Sequence, residues 1–208
     1  MGSFRIGVKD VFKKRVMLVN YPFLTSEAKM LVDYTIKENL KCNNVLRVRG
    51  LFRTKKLLPK KSTLWSITWN DRIELGLAVG ENDIFAMLKI IYGISEKQFK
   101  RLELFNAFSA YKFIIEELKE MVRIEAQELE HEYTEEEKEA GVEELQQFSY
   151  YNTLDTLTNG NILIQNEWLM LPYSKIFRKM CLDKVRFDIN LKMRENANRK
   201  IKGNSSSI

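Results

Sequence analysis

The residues that could do chemistry are few in kind and unevenly spread. The one histidine, His131, sits among Glu128, Glu130 and Glu132. On a helix it could share a metal ion with a carboxylate four residues away, but two such ligands do not close a coordination sphere. The stretch reads as solvated surface. Nucleophilic catalysis wants a base beside the nucleophile, most often histidine, and one histidine in so polar a stretch gives no such pair. Carboxylates for acid–base work crowd the same block, yet an exposed carboxylate lacks the burial or fixed partner that tunes its pKa. Cys42 and Cys181 stand alone, without the spacing of a disulfide framework or a zinc site, and read as small, half-buried apolar residues. The nine glycines form neither phosphate-cradling pattern. These residues predict no catalytic, cofactor-binding or metal-ligating set, and a protein that works by surface contact.

Charge is the stronger signal. Arg47, Arg49 and Arg53 alternate with Leu46, Val48, Gly50 and Phe52, and Lys55, Lys56, Lys60 and Lys61 crowd around Leu57-Leu58-Pro59. Such a basic strand and tail could neutralise phosphates and release counterions, meet an acidic protein surface, or stay solvated. Base stacking would want exposed aromatics between the cations, and Phe52 falls on the apolar side of the alternation. The chain as a whole carries +6, but in blocks: residues 1–61 hold 15 Lys/Arg against 4 Asp/Glu, residues 115–147 hold 3 against 13, and residues 172–203 hold 10 against 3. Opposed blocks attract each other or separate partners, so the basic pI says little about nucleic acid by itself. Arg47, Arg49, Arg53, Lys55 and Lys56 are the candidates for an acidic partner. Glu116, Glu120 and Glu128 are the candidates for a basic one.

The elements that must position these residues are mostly helical. Asn82 or Asp83 caps a helix bearing Ile84, Met87, Leu88 and Ile91, and Gly93 is placed to end it. Ser95 with Gln98 reads as a capping box opening a long amphipathic helix to about Glu130, with Leu104, Phe108, Tyr111, Ile115, Leu118 and Val122 as its stripe, widened by Ala107, Ile114 and Met121. Asn106 to Ser109 is a candidate break. A stripe this broad must be buried against other helices, which predicts a helical core.

Around that pair the patterns are shorter. Residues 1–24 suggest two short strands or a strand and an arm; Ser26 caps a helix over 27–40; and 46–53 is extended. Trp65, Ile67 and Trp69 alternate just ahead of a helical run, so strand and helix compete, with the tryptophans as core anchors. Thr134 with Glu137 opens a helix through Gly141 towards Leu157. Asn159-Gly160-Asn161 turns, 162–164 is an extended link, and Asn166 caps a short helix. Pro172 starts the last helix. Within it Val185, Phe187, Ile189, Leu191 and Met193 alternate like a strand, but the absence of Gly and Pro from Tyr173 to Lys202 favours helix.

The fold class expected is mainly α: a helical bundle core over 62–202, with a small basic N-terminal region of mixed short strands and one helix over 1–61, and a disordered tail over 203–208. No apolar run approaches the roughly 18 residues of a membrane span. Arg5, Lys9 and Asp10 interrupt any secretory core, so cytosolic synthesis is expected.

Residues 139–182 resemble something known. Ala140-Gly141-Val142-Glu143-Glu144-Leu145, Phe148, Leu154-Asp155-Thr156-Leu157, Gly160-Asn161-Ile162, Trp168, Leu171-Pro172-Tyr173 and Ile176-Phe177 form a run that resembles the C-terminal pattern of small helical assembly proteins of tailed bacteriophages, tail-assembly chaperone-like proteins above all. The resemblance implies a non-enzymatic role. It would hold an aggregation-prone phage protein or occupy a place in the virion, with other phage structural proteins as partners and the host cytoplasm or the particle as location; an oligomer is compatible with it. The basic N-terminal region lies outside it and leaves a connector or another virion component open. The alternative is a nucleic-acid-binding protein using the basic region.

Overall fold

The computed structural model describes residues 17–50, 53–131 and 133–205, and the protein is mainly α. Two compact units divide it: one runs up to Leu64 and takes in Asp71–Met121, the other joins Trp65–Asn70 to Val122 and the rest of the chain. The basic stretch before Leu64 thus shares its unit with helices drawn from Asp71–Met121.

In the first unit, Leu18–Phe23 is a 3-10 turn where a second short strand or an irregular arm was expected, and the stretch of Phe4, Ile6 and Val8 lies outside the described residues. Helix α1 (Ser26–Tyr34) is capped by the Thr25 side chain, which accepts from the Ala28 N–H, one residue ahead of the expected cap, and its last turn widens into a π-helical turn over Thr35–Asn39. Strands β1 (Leu46–Arg49) and β2 (Thr54–Leu57) pair antiparallel, the one sheet among the described residues. The next helix, α2 (Trp69–Gly80), begins at the boundary between the two units. Helix α3 (Ile84–Tyr92) follows the sequence pattern closely: the Asp83 carboxylate accepts from the Ala86 N–H, and Gly93 ends it at φ 68°. Met87, Leu88, Ile91 and Tyr92 are buried.

The Ser95–Gln98 capping box is formed, but it opens only the four-residue helix α4 (Glu96–Phe99). The long helix α5 starts afresh and runs Leu104–Leu129. What intervenes is tertiary pairing: the Leu102 carbonyl accepts from the Leu18 N–H at 2.8 Å and the Arg101 carbonyl from the Arg49 N–H at 3.0 Å. Leu102 and Glu103 are held in antiparallel bridges to Val48 and Met17, which overrides local helix propensity. The suspected break over Asn106 to Ser109 is absent, since α5 is continuous there. Those polar residues instead hold the preceding segment. The Ser109 hydroxyl donates to the Lys41 carbonyl, and the Asn106 amide bonds the backbone at Val45 and Arg47. The buried seam of α5 in this unit is Leu104, Ala107, Ala110, Ile114, Leu118 and Met121. The residues read as widening the stripe are its core, and Val122, read as part of it, is exposed.

In the second unit, Ile67 and Trp69 are buried, and Trp65 packs on Tyr173 and Phe177 at ring distances of 5.9 and 4.8 Å. Backbone bonds from Trp69 N–H to Leu171 and from Tyr173 N–H to Ile67 fasten that segment to the start of the last helix. The Thr134–Glu137 capping box is present, but its helix α6 is short (Glu135–Glu139). Gly141, at φ 81°, turns the chain into a 3-10 helix, Val142–Phe148, and Ser149 separates this from α7 (Tyr150–Leu157). The single long helix expected here is therefore three pieces, because a left-handed glycine terminates a helix where a right-handed one would only weaken it. The link expected over 162–164 is helical: α8 spans Ile162–Leu169, capped by Asn161. The last helix, α9, spans Tyr173–Ser205, so the stretch 185–193 is helix, and residues 206–208 lie outside the described residues. No helix among the described residues is long and apolar enough to cross a membrane.

Candidate partner-binding surfaces

The basic hairpin is built so that one side is core and the other is charge. Along β1, Leu46 and Val48 are buried and Arg47 and Arg49 exposed, the period of two that a half-buried strand requires. Each edge of β1 is occupied. One is paired to β2. The other meets α5 and its approach, where the Asn106 side-chain carbonyl accepts from the Arg47 N–H, its NH2 donates to the Val45 carbonyl at 3.0 Å, and the Arg49 N–H reaches Arg101. At the turn, a Cβ on Gly50 would stand 2.4 Å from the Arg53 carbonyl oxygen, so glycine is required there by close approach.

Register sorts the five candidate cations. Arg47 is opposite Lys56, Val48 opposite Lys55, and Arg49 opposite Thr54. Opposed residues share a face, so Arg47, Arg49 and Lys56 stand together. Lys55 is on the other face, exposed because β2 is the outer strand, and Arg53 is at the turn. Phe52 lies outside the described residues. The backbone bond to Arg49 brings up Arg101, also exposed, as a further cation. Sequence reasoning missed it, since nothing in the sequence ties residue 101 to residue 49. Among the described residues, no carboxylate pairs with any of these cations.

All three acidic candidates are on α5. Glu116 and Glu120 belong to the first unit and Glu128 to the second. The Cys42 thiol donates to the Glu116 carboxylate at 2.6 Å. Burial, then that bond and the carboxylate charge, pushes the thiol up to about 11. It is therefore an inert thiol at neutral pH. Glu120 also interacts within the chain. The Glu128 backbone carbonyl accepts from Lys184 at 3.1 Å. Burial, with the charge of Glu128, likewise raises Cys181.

His131 is less solvated than its sequence neighbours suggest. Its Nε2 is 3.4 Å from the Glu137 carboxylate, and its ring meets Tyr133 and Phe187 edge-on. It lines a cavity of about 390 Å³ with Thr134, Glu137, Phe187, Leu191 and Arg194. The Thr134 backbone N–H, with that residue's hydroxyl and His131 adding, holds the Glu137 carboxyl below the usual carboxylate range. These contacts fix the entry to α6; among the described residues, no group of three His, Cys, Asp or Glu is placed to hold a metal ion. The chain matches no protein-family model, no curated protein and no solved structure.

Proposed function

We propose that the protein is a non-enzymatic assembly protein, in the tailed-phage virion-assembly role that the resemblance over 139–182 implies, and that it holds an acidic polypeptide on the Arg47–Arg49–Lys56 face. One observation carries this reading: Arg47 and Lys56 stand directly opposite across the ladder with no acidic partner among the described residues. Like charges so placed destabilise a strand pair, and an anionic partner relieves the repulsion. Arg101 extends the same field. A second reading, nucleic acid on this face, draws on the same clustered cations, which suit phosphates as well as carboxylates.

Co-expression of the tagged full chain with capsid and tail proteins, purified at low and high salt with and without nuclease, separates the two. Retention of a virion protein that resists nuclease and is lost in Arg47→Glu/Arg49→Glu/Lys56→Glu supports the first. Binding to DNA or RNA that weakens steeply with salt, with a slope that falls by about one for each cation removed, moves the assignment to the second. Retention unchanged by the triple substitution removes both.

A further inference from the structure

Among the apolar surfaces of the second unit that face solvent, two have charged borders of opposite sign. The first is on the 3-10 helix Val142–Phe148, where three residues per turn line up Leu145 and Phe148, with exposed Tyr151 beyond them. Its exposed borders are Glu143 and Glu144. The second is on α9. Leu182, Val185, Ile189 and Met193 follow one another at steps of three and four, so they share a side of the helix. Exposed Lys175, Arg178, Arg186 and Lys192 border it, and Asp183 and Asp188 fall outside that arc. Across both surfaces exposure runs from 45% at Leu145 to 65% at Met193.

We propose that copies of this chain associate front to back, the acid-bordered ridge of Leu145, Phe148 and Tyr151 on one copy seating on the cation-bordered stripe of Leu182, Val185, Ile189 and Met193 on the next. Leu145 and Phe148 stand about 6 Å apart along the ridge at 2.0 Å per residue, within the about 16 Å that the stripe spans at 1.5 Å per residue. They do not close on each other within one copy. Phe187, Leu191 and Arg194, on the far side of α9 from the stripe, are the residues that share a cavity with Thr134 and Glu137, where the acidic segment begins. Stripe on stripe is disfavoured, since four cations on each copy would meet. Ridge on stripe covers both apolar faces and pairs their borders with a single kind of contact. Such a heterologous contact leaves one free surface at each end, so it builds an open chain or, if the rotation closes, a ring.

Sedimentation velocity and light scattering of the full chain over a rising concentration series test this. The wild type is expected to gain mass beyond a dimer or to settle at one ring size. Leu145→Lys/Phe148→Lys and Val185→Glu/Ile189→Glu change only exposed positions, and each alone is expected to be monomeric. Mixed in equal amounts they retain one intact pair of surfaces, so a dimer and nothing larger is expected. A monomeric wild type, association surviving in either variant alone, or a mixture that stays monomeric overturns the proposal. If either variant lacks the wild-type helical circular-dichroism signal, Arg186→Glu/Lys192→Glu, which leaves every apolar side chain in place, decides: at least about tenfold weaker association is expected, and unchanged association overturns it.

Discussion

The hairpin and the last helix carry charge of the same sign on different foundations. In the hairpin, Leu46 and Val48, the apolar residues that alternate with Arg47 and Arg49, are buried, so the face turned outward is polar and basic. On α9 the cations border apolar residues that stay in water. Contacts through the first surface are electrostatic and fade as salt screens them. Contacts through the second bury hydrocarbon, which salt does not weaken. Charge counts alone score the two regions alike; the position of the apolar residues tells them apart.

The sharpest way to break this contrast is to cut an apolar residue from each region. Leu46→Ala is expected to destabilise by about 2–5 kcal/mol and Val185→Ala by no more than about 0.5 kcal/mol in urea denaturation. Equal losses would mean that the stripe on α9 is core. Next in size is Asn106→Leu, which strands the Arg47 N–H and the Val45 carbonyl and is expected to cost about 1–3 kcal/mol, with faster amide exchange confined to β1 and its neighbours. Lys56→Glu removes the like-charge opposition to Arg47 and is expected to stabilise by about 0.2–1 kcal/mol while weakening any acidic partner. Opposite signs in melting and binding assays would separate function from fold at this position.

The smallest effect concerns Cys42. Its folded pKa is raised from 9.0 to about 11, so the folded chain holds the thiol proton more tightly than the unfolded one. That contribution is complete below about pH 9 and is lost as pH rises through about 11. Glu116→Gln removes the carboxylate charge but leaves the burial, so alkylation of Cys42 near pH 9 is expected to speed up a few-fold. An unchanged rate would show that Glu116 does not hold the proton in place.

What the sequence made legible is what short-range chemistry decides. The Asp83 cap, the left-handed Gly93 and the two capping boxes formed as their residue types require, and the exposed arginines of β1 follow from strict alternation. Extent was harder to read. A capping box says where a helix starts but not that the backbone at Arg101 and Leu102 will be taken up by Arg49 and Leu18. Asn106 and Ser109 looked like a weak point because polar residues are poor helix formers, whereas their side chains are spent on backbone far away in sequence. At 185–193 both periods fit, and the continuous helix exposes Val185 and Ile189 while turning Leu191 towards the His131 cavity. Grouping Arg49 with Arg101, or tying up Glu116 with Cys42, depends on contacts that no local pattern encodes.

The Asn106 amide also has a bearing on solubility. By occupying the outer flank of β1 it removes that strand as a template for stray chains, and the vulnerable margin of the sheet becomes β2. There Lys55 and Lys56, one on each face, stand on a four-residue strand, too short and too charged to recruit a neighbour's backbone. The same lysines thus act as gatekeepers against sheet-to-sheet aggregation, so neutralising both would favour precipitation even where it relieves repulsion inside the fold.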